Sequence, residues 1–207
     1  MQRCGKDEDR KRVVQFMNSA DLSIADIQLK ETVFSADSLP QGKSAAIRDE
    51  FLKDMAGKKF LEPRFFHKDV NTAEAVEFDE AEESDGTRAL FAIAGPWLDV
   101  LDNERVLVVD ELDTSLHPLL VHHLVRRLHH EGTKAQLIFT THDTTLLSQK
   151  LLRRDQVWFM EKDDKSATRL YPLSDYSPRE TEAIERGYLN GRYGGIPFLR
   201  DLDFYGV

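Results

Sequence analysis

Apolar residues along the chain follow two periods. Ile24, Ile27, Leu29 and Val33 alternate closely enough with polar neighbours to predict a strand over Ile24 to Val33. Phe60 to His67 and Ala73 to Phe78, rich in aromatic and branched residues, predict two more. From Ser84 onward the signals sharpen. Ser84 can cap a helix whose apolar face is Leu90, Ile93, Trp97 and Leu101, kinked or ended near Pro96. Val106-Leu107-Val108-Val109 is an unbroken apolar run, which predicts a strand buried on both faces. Pro118 suits a first helical turn, and Leu120, Leu124 and Leu128 form a stripe before Gly132 stops the helix. Gln136 to Thr140 predicts a second buried strand. Strand, helix and strand with short connections imply a right-handed parallel crossover.

The flanks are plainer. Lys6 to Val14 predicts a charged helical tail, Ser35 to Ser44 a loop with Pro40 and Gly42, and Ala45 to Met55 a short polar helix. Gln156 to Met160 and Arg169 to Leu173 predict a hairpin around Asp163-Asp164-Lys165-Ser166, and Ser177 and Pro178 open a final helix. The fold class expected is α/β, a parallel-core sheet flanked by helices. Residues 1–80 are expected to be peripheral strands and helices, with the core in 81–207.

Composition narrows the setting. The 207 residues are 41% hydrophobic and 31% charged, which excludes a disordered or membranous chain. Ala89 to Leu98, the longest apolar run, is broken by Gly95 and Pro96 and falls far short of the ~20 residues needed to span a bilayer. Cys4 is the only cysteine, so no intrachain disulfide can form, and the start of the chain shows no secretory signal. A cytoplasmic protein is expected. The net charge of -9 argues against nucleic acid as a partner of the whole segment, leaving only small basic patches at Arg126, Arg127, Arg153 and Arg154.

The chemistry concentrates at strand ends. An apolar strand closing in Asp110 and Glu111 places two carboxylates at the carboxyl edge of a parallel sheet, where open α/β folds bind ligands. In phosphoryl-transfer sites one such acid holds Mg²⁺ and the other orients or deprotonates the attacking water. The plain alternative is a strand that ends in solvated acids. One crossover later comes Phe139-Thr140-Thr141-His142-Asp143, whose histidine can reach the same edge. Upstream, Glu83-Ser84-Asp85-Gly86-Thr87 opens a helix, and free N–H groups at a helix start bind phosphate.

In this order the elements resemble the ABC ATPases, particularly the SMC-like branch. Ser84-Asp85-Gly86-Thr87 resembles a divergent signature motif, and Val106 to Glu111 a Walker B strand with its glutamate. Thr114-Ser115-Leu116-His117 resembles the D-loop, with His117 where that loop usually has aspartate, and His142 resembles the switch histidine. Glu83 to Leu90, Asp110 to Pro118 and Gly191-Arg192-Tyr193-Gly194-Gly195-Ile196-Pro197 resemble bacterial AAA-domain ATPases of the abortive-infection group. The resemblance runs from about Phe16 to the end. It implies ATP and Mg²⁺ as cofactors, with Glu111 and His142 catalytic and Asp110 holding Mg²⁺ through water. Ser84, Asp85, Gly86, Thr87, Asp110 and Ser115 would contact nucleotide. The implied partners are a second ATPase head in a homodimer and an antiphage effector nuclease or toxin, with no membrane.

A P-loop needs Gly-x-x-x-x-Gly-Lys-Ser/Thr so that backbone amides wrap the phosphates. Gly42-Lys43-Ser44 lacks the first glycine, because residue 37 is Asp37, and it reads as an exposed turn. The Walker A half is therefore expected from a preceding segment or a separate chain. His122, His123, His129 and His130 do not make a metal site, since adjacent histidines on a helix point to different faces. Two rival functions stand beside ATP hydrolysis. One is a non-catalytic interaction subunit that regulates a partner ATPase. The other is a metal-dependent nuclease using Asp110, Glu111 and Asp113, which leaves the Ser84 helix and His142 unexplained.

Overall fold

A computed structural model describes residues 6–20, 22–33, 59–69, 71–72, 74–129, 133–147, 151–176 and 183–196. The Ser35 to Ser44 loop, the Ala45 to Met55 helix and Gly42-Lys43-Ser44 lie outside them, as do Gly132, Ser177 and Pro178. Among these residues the fold is mixed α/β, with three small sheets.

Helix α1 (Asp7–Asn18) is longer than the predicted tail, and its second half is core: Val13, Phe16 and Met17 are buried. Phe16 packs on Trp97 with ring centroids 6.1 Å apart, and Arg12 grips Asp102 with two hydrogen bonds of 2.6 and 2.9 Å. Strands β1 (Ile24–Val33), β2 (Lys59–Lys68) and β3 (Ala75–Asp79) form an antiparallel meander in sequence order. Its inner face supplies Ile24, Ile27 and Phe65 to the same hydrophobic cluster.

Helix α2 (Asp85–Asn103) is the central element, burying Leu90, Phe91, Ala94, Trp97, Leu98 and Val100. The helix does not end at Pro96. Pro96 and Ala92, whose carbonyl loses its donor, both lie on the exposed side, where water can replace the bond. Gly95 has no Cβ to clash with the proline ring, which is what usually bars a residue before proline from helical geometry. Burial of Trp97, Leu98 and Val100, worth about 1.5–3 kcal/mol per large side chain, outweighs the ~3 kcal/mol cost of a helical proline.

Strand β4 (Val106–Val109) pairs in parallel with β5 (Gln136–Phe139), joined by the α3 crossover (Pro118–Leu128). The α3 stripe is Val121, Leu124, Val125 and Leu128, turned one residue from the expected Leu120 line. The expectation of burial on both faces is corrected. Leu107, Val109, Leu137 and Phe139 pack inward, but Val106, Val108 and Ile138 are 52%, 70% and 58% exposed. Parallel pairs need cover on both faces, and the described residues cover one.

The predicted hairpin is β6 (Trp158–Lys162) and β7 (Thr168–Pro172), antiparallel and each shifted by a residue or two. A short helix α4 (Ile184–Leu189) and residues 190–196 fold back on it. Phe159, Tyr188 and Tyr193 stack there, with ring planes 6–8° from parallel to Phe159. Thus Gly187 to Gly195 is largely a packed turn around Tyr193, which is fully buried. Burial and Glu161 push the Tyr171 hydroxyl well above its usual pKa, and it donates to the Tyr193 carbonyl at 3.0 Å.

Candidate functional site

The parallel register extends one step past the strands. The Thr140 amide donates to the Val109 carbonyl (3.1 Å), and the Leu112 amide donates to the Thr140 carbonyl (3.0 Å). This places Asp110 and Glu111 directly beside the segment that leads to His142. The Thr140 hydroxyl donates to Asp110 Oδ1 at 2.5 Å and accepts the Glu111 amide at 2.8 Å. Glu111 has φ 51°, left-handed backbone that a non-glycine residue rarely adopts. Its carboxylate accepts the Thr114 hydroxyl at 3.2 Å.

Asp113 is turned toward the histidine. Its two carboxylate oxygens lie 3.2 and 3.4 Å from the His142 amide, which donates to them. Leu112, 3% exposed, plugs the core between these acids, so the acidic turn is anchored rather than hanging in solvent. Asp110, Glu111 and His142 themselves are exposed. Neither Asp110 nor Glu111 forms an ion pair with a basic side chain among the described residues. Two adjacent carboxylates without a cationic partner suit a hydrated divalent cation, the ligand chemistry Mg²⁺ requires. No cluster of three or more metal-ligating side chains exists among the described residues.

The loop then winds through Ser115, with φ 61°, to His117. His117 Nδ1 accepts the Leu119 amide at 3.2 Å and so caps α3. That is the service an aspartate commonly performs, which accounts for histidine at this position.

Ser84 caps α2: its hydroxyl accepts the Thr87 amide at 3.0 Å and meets the Thr87 hydroxyl at 2.8 Å. The amides of Asp85 and Gly86, in the first helical turn, have no acceptor within the helix. Asp85 pairs with Arg88 one turn on. Gly86 touches the loop after β4, since a Cβ there would come 2.9 Å from the Ser115 carbonyl oxygen. The sequence-predicted residues thus gather in two joined groups. Asp110 and Glu111 follow β4 and His142 follows β5 at the same end of the strand pair, and Gly86 touches the loop after β4 at Ser115.

Three supporting residues escaped the reading of the sequence. Thr140 was visible as a letter but had no assigned task, and Asp113 was weighed only as a metal ligand, because their roles depend on the strand register. Glu83 is the third: its carboxylate is 7% exposed and lies 2.6 Å from His67 Nε2, pinning the start of α2 to β2. His67 in turn packs edge-on against Phe78 at 4.9 Å. A shallow depression of about 370 Å³ lies nearby, lined by Glu62, Arg64, Asp79 and Arg88 among others. Its arginines are already paired with Glu62, Asp79 and Asp85.

No helix among the described residues is long and apolar enough to cross a membrane. Comparison with known proteins gives a relative and a family. Septu protein PtuA of Bacillus mycoides (strain KBAB4) is 27% identical over 126 residues, covering 58% of this chain. The chain spans only 18% of that relative's length. The family described as "AAA domain, putative AbiEii toxin, Type IV TA system" matches residues 14–148, from the buried half of α1 to just beyond His142. With both strand-end acids and the histidine inside that match, the chain belongs to this AAA-domain family.

Proposed function

We propose that this chain supplies the acid-and-histidine face of an ATP-hydrolysing site. It would act as the C-terminal lobe of an ABC-type P-loop NTPase head, centred on residues 81–207 with residues 1–80 around it. The observation that carries the reading is that Asp110 and Glu111 follow β4 and His142 follows β5 at the same end of one parallel strand pair, with Thr140 bonded to Asp110 and the Glu111 amide and Asp113 to the His142 amide. Asp110 would hold Mg²⁺, and Glu111 would accept the proton of the attacking water. His142 contacts the terminal phosphate, and Ser84 to Thr87 with Ser115 address nucleotide held by a second head. Bound Mg²⁺ supplies charge neutralisation on the phosphate oxygens.

Family membership supports nucleotide and Mg²⁺ use. The toxin in the family description and the resemblance to the abortive-infection group support a cytoplasmic antiphage role with a coupled nuclease or toxin effector. A phosphate loop comes from another segment or chain, and the open face at Val106, Val108 and Ile138 supports such a neighbour. That open face equally favours a second reading, a non-catalytic subunit that docks on and regulates a partner ATPase.

The test joins this chain, fused or in trans, to a segment carrying the phosphate loop. Glu111→Gln keeps the shape of the side chain but cannot take the proton, so hydrolysis should fall by roughly 10²–10⁴-fold while Mg-ATP binding and head dimerisation persist. Turnover at the wild-type rate would remove Glu111 from the role of base. A wild-type assembly that binds its partner yet hydrolyses nothing would favour the regulatory subunit.

A further inference from the structure

We propose that Thr140 is the positioning residue for both acids of the site, one hydroxyl setting the direction of two consecutive carboxylate-bearing residues. The inference rests on the ATPase reading for its consequence, but its geometry stands independently. A hydroxyl has one proton and two lone pairs. At Thr140 the proton goes to Asp110 Oδ1 at 2.5 Å, and a lone pair takes the Glu111 amide at 2.8 Å. Both bonds are used within the same turn, and they point to different members of the acid pair.

The two bonds do different work. The first fixes the Asp110 carboxylate by one oxygen, so that the side chain is held in one rotamer before any cation arrives. The second holds the amide of a residue at φ 51°, a conformation a non-glycine residue keeps only where its surroundings enforce it. Enforcement comes from neighbours on both sides: the Thr140 carbonyl takes the Leu112 amide, and Thr114 binds the Glu111 carboxylate. Among the described residues, only this hydroxyl bonds both the Asp110 carboxylate and the Glu111 amide. Serine retains that hydroxyl, whereas valine keeps the shape and loses it. Threonine at this place is therefore read as a hydrogen-bonding device rather than a strand-end filler.

Amide hydrogen exchange on the full 207-residue chain tests the geometry without nucleotide. In Thr140→Val the Glu111 amide should exchange at least 10-fold faster, while the Leu112 amide, held by a carbonyl, stays protected. Thr140→Ser should leave both as in the wild type. In the assembly completed with a phosphate loop, Thr140→Val should raise the Mg²⁺ concentration for half-maximal Mg-ATP binding by 5-fold or more, and Thr140→Ser should restore it. Unchanged Glu111 exchange in Thr140→Val would overturn the proposal, as would a serine variant as impaired as the valine. If the exchange result holds but the completed wild type hydrolyses no ATP, the ATPase reading fails and the positioning role of Thr140 survives.

Discussion

At the scale of single residues, the site depends on groups held in conformations their side chains would not choose alone. Glu111 and Ser115 both have positive φ without being glycine, and both lie in the loop that follows the β4 strand. Such backbone is kept only where neighbours over-determine it, and Thr140, Thr114 and Leu112 do so here. His123, on α3, shows the opposite case of a polar atom left without a partner, its Nε2 buried and unbonded. Burial, then the charges of Arg127 and Arg126, push its pKa below the usual 6.5. Because the folded value lies below the unfolded one, the unfolded chain takes up the proton first as pH falls. The stability of the neutral ring is intact above about pH 6.5 and is lost as pH drops through the lowered folded value. Denaturant midpoints at pH 7.5 and 5.5 should therefore diverge more for the wild type than for His123→Gln. Equal acid sensitivity in the two proteins would show that other groups drive the loss.

At the scale of elements, α2 joins the layers. It packs on α1, meets the meander through Phe91 against Phe65 at 5.2 Å, and presents its N-terminus to the loop after β4. Gly86 makes that last contact possible. Alanine there gains about 1 kcal/mol of helix propensity, but its Cβ would stand 2.9 Å from the Ser115 carbonyl oxygen. Backbone yields less readily than a flexible side chain, and overpacking of this kind costs about 1–3 kcal/mol. Gly86→Ala is expected to be net destabilising and to disturb the loop through Ser115, measured as a lowered unfolding midpoint. A variant as stable as the wild type would mean the loop moves aside freely. The 3-10 turn Thr144–Leu147, two residues after His142, has a comparable joining role. Leu146 is buried in the main cluster, while Leu147 packs against Phe159, Leu173 and Tyr193.

At the scale of the whole molecule, the described residues form two hydrophobic clusters, one running from Val13 to Leu146 and one around Phe159. What the described residues leave uncovered is the outer face of the parallel pair, where Val108 and Ile138 stand opposite each other in register. Exposed apolar sheet surface promotes association. The isolated chain should self-associate in a concentration-dependent way, and Val108→Lys with Ile138→Lys should shift it toward monomer in sedimentation experiments. It should also fail to bind Mg-ATP tightly, since the phosphate cradle is absent from its sequence. A monomeric wild type at high concentration would show that this face is covered.

Much of this was legible from residue order alone. The period of Leu90 and Trp97 marked α2, the run Val106 to Val109 marked β4, and Asp110, Glu111 and His142 were placed at one sheet edge because parallel strands end on the same side. Those inferences depend on local pattern, which the sequence states directly. The tertiary structure alone decided what crosses between elements. It showed that α1 is core, that α2 continues through Pro96, and that one face of the parallel pair is open. It also set Thr140 on Asp110, Asp113 on the His142 amide and Gly86 against Ser115. Each of these turns on strand register or on which surfaces meet, and neither is fixed until distant segments pack, because a shift of one residue would point the same side chains elsewhere.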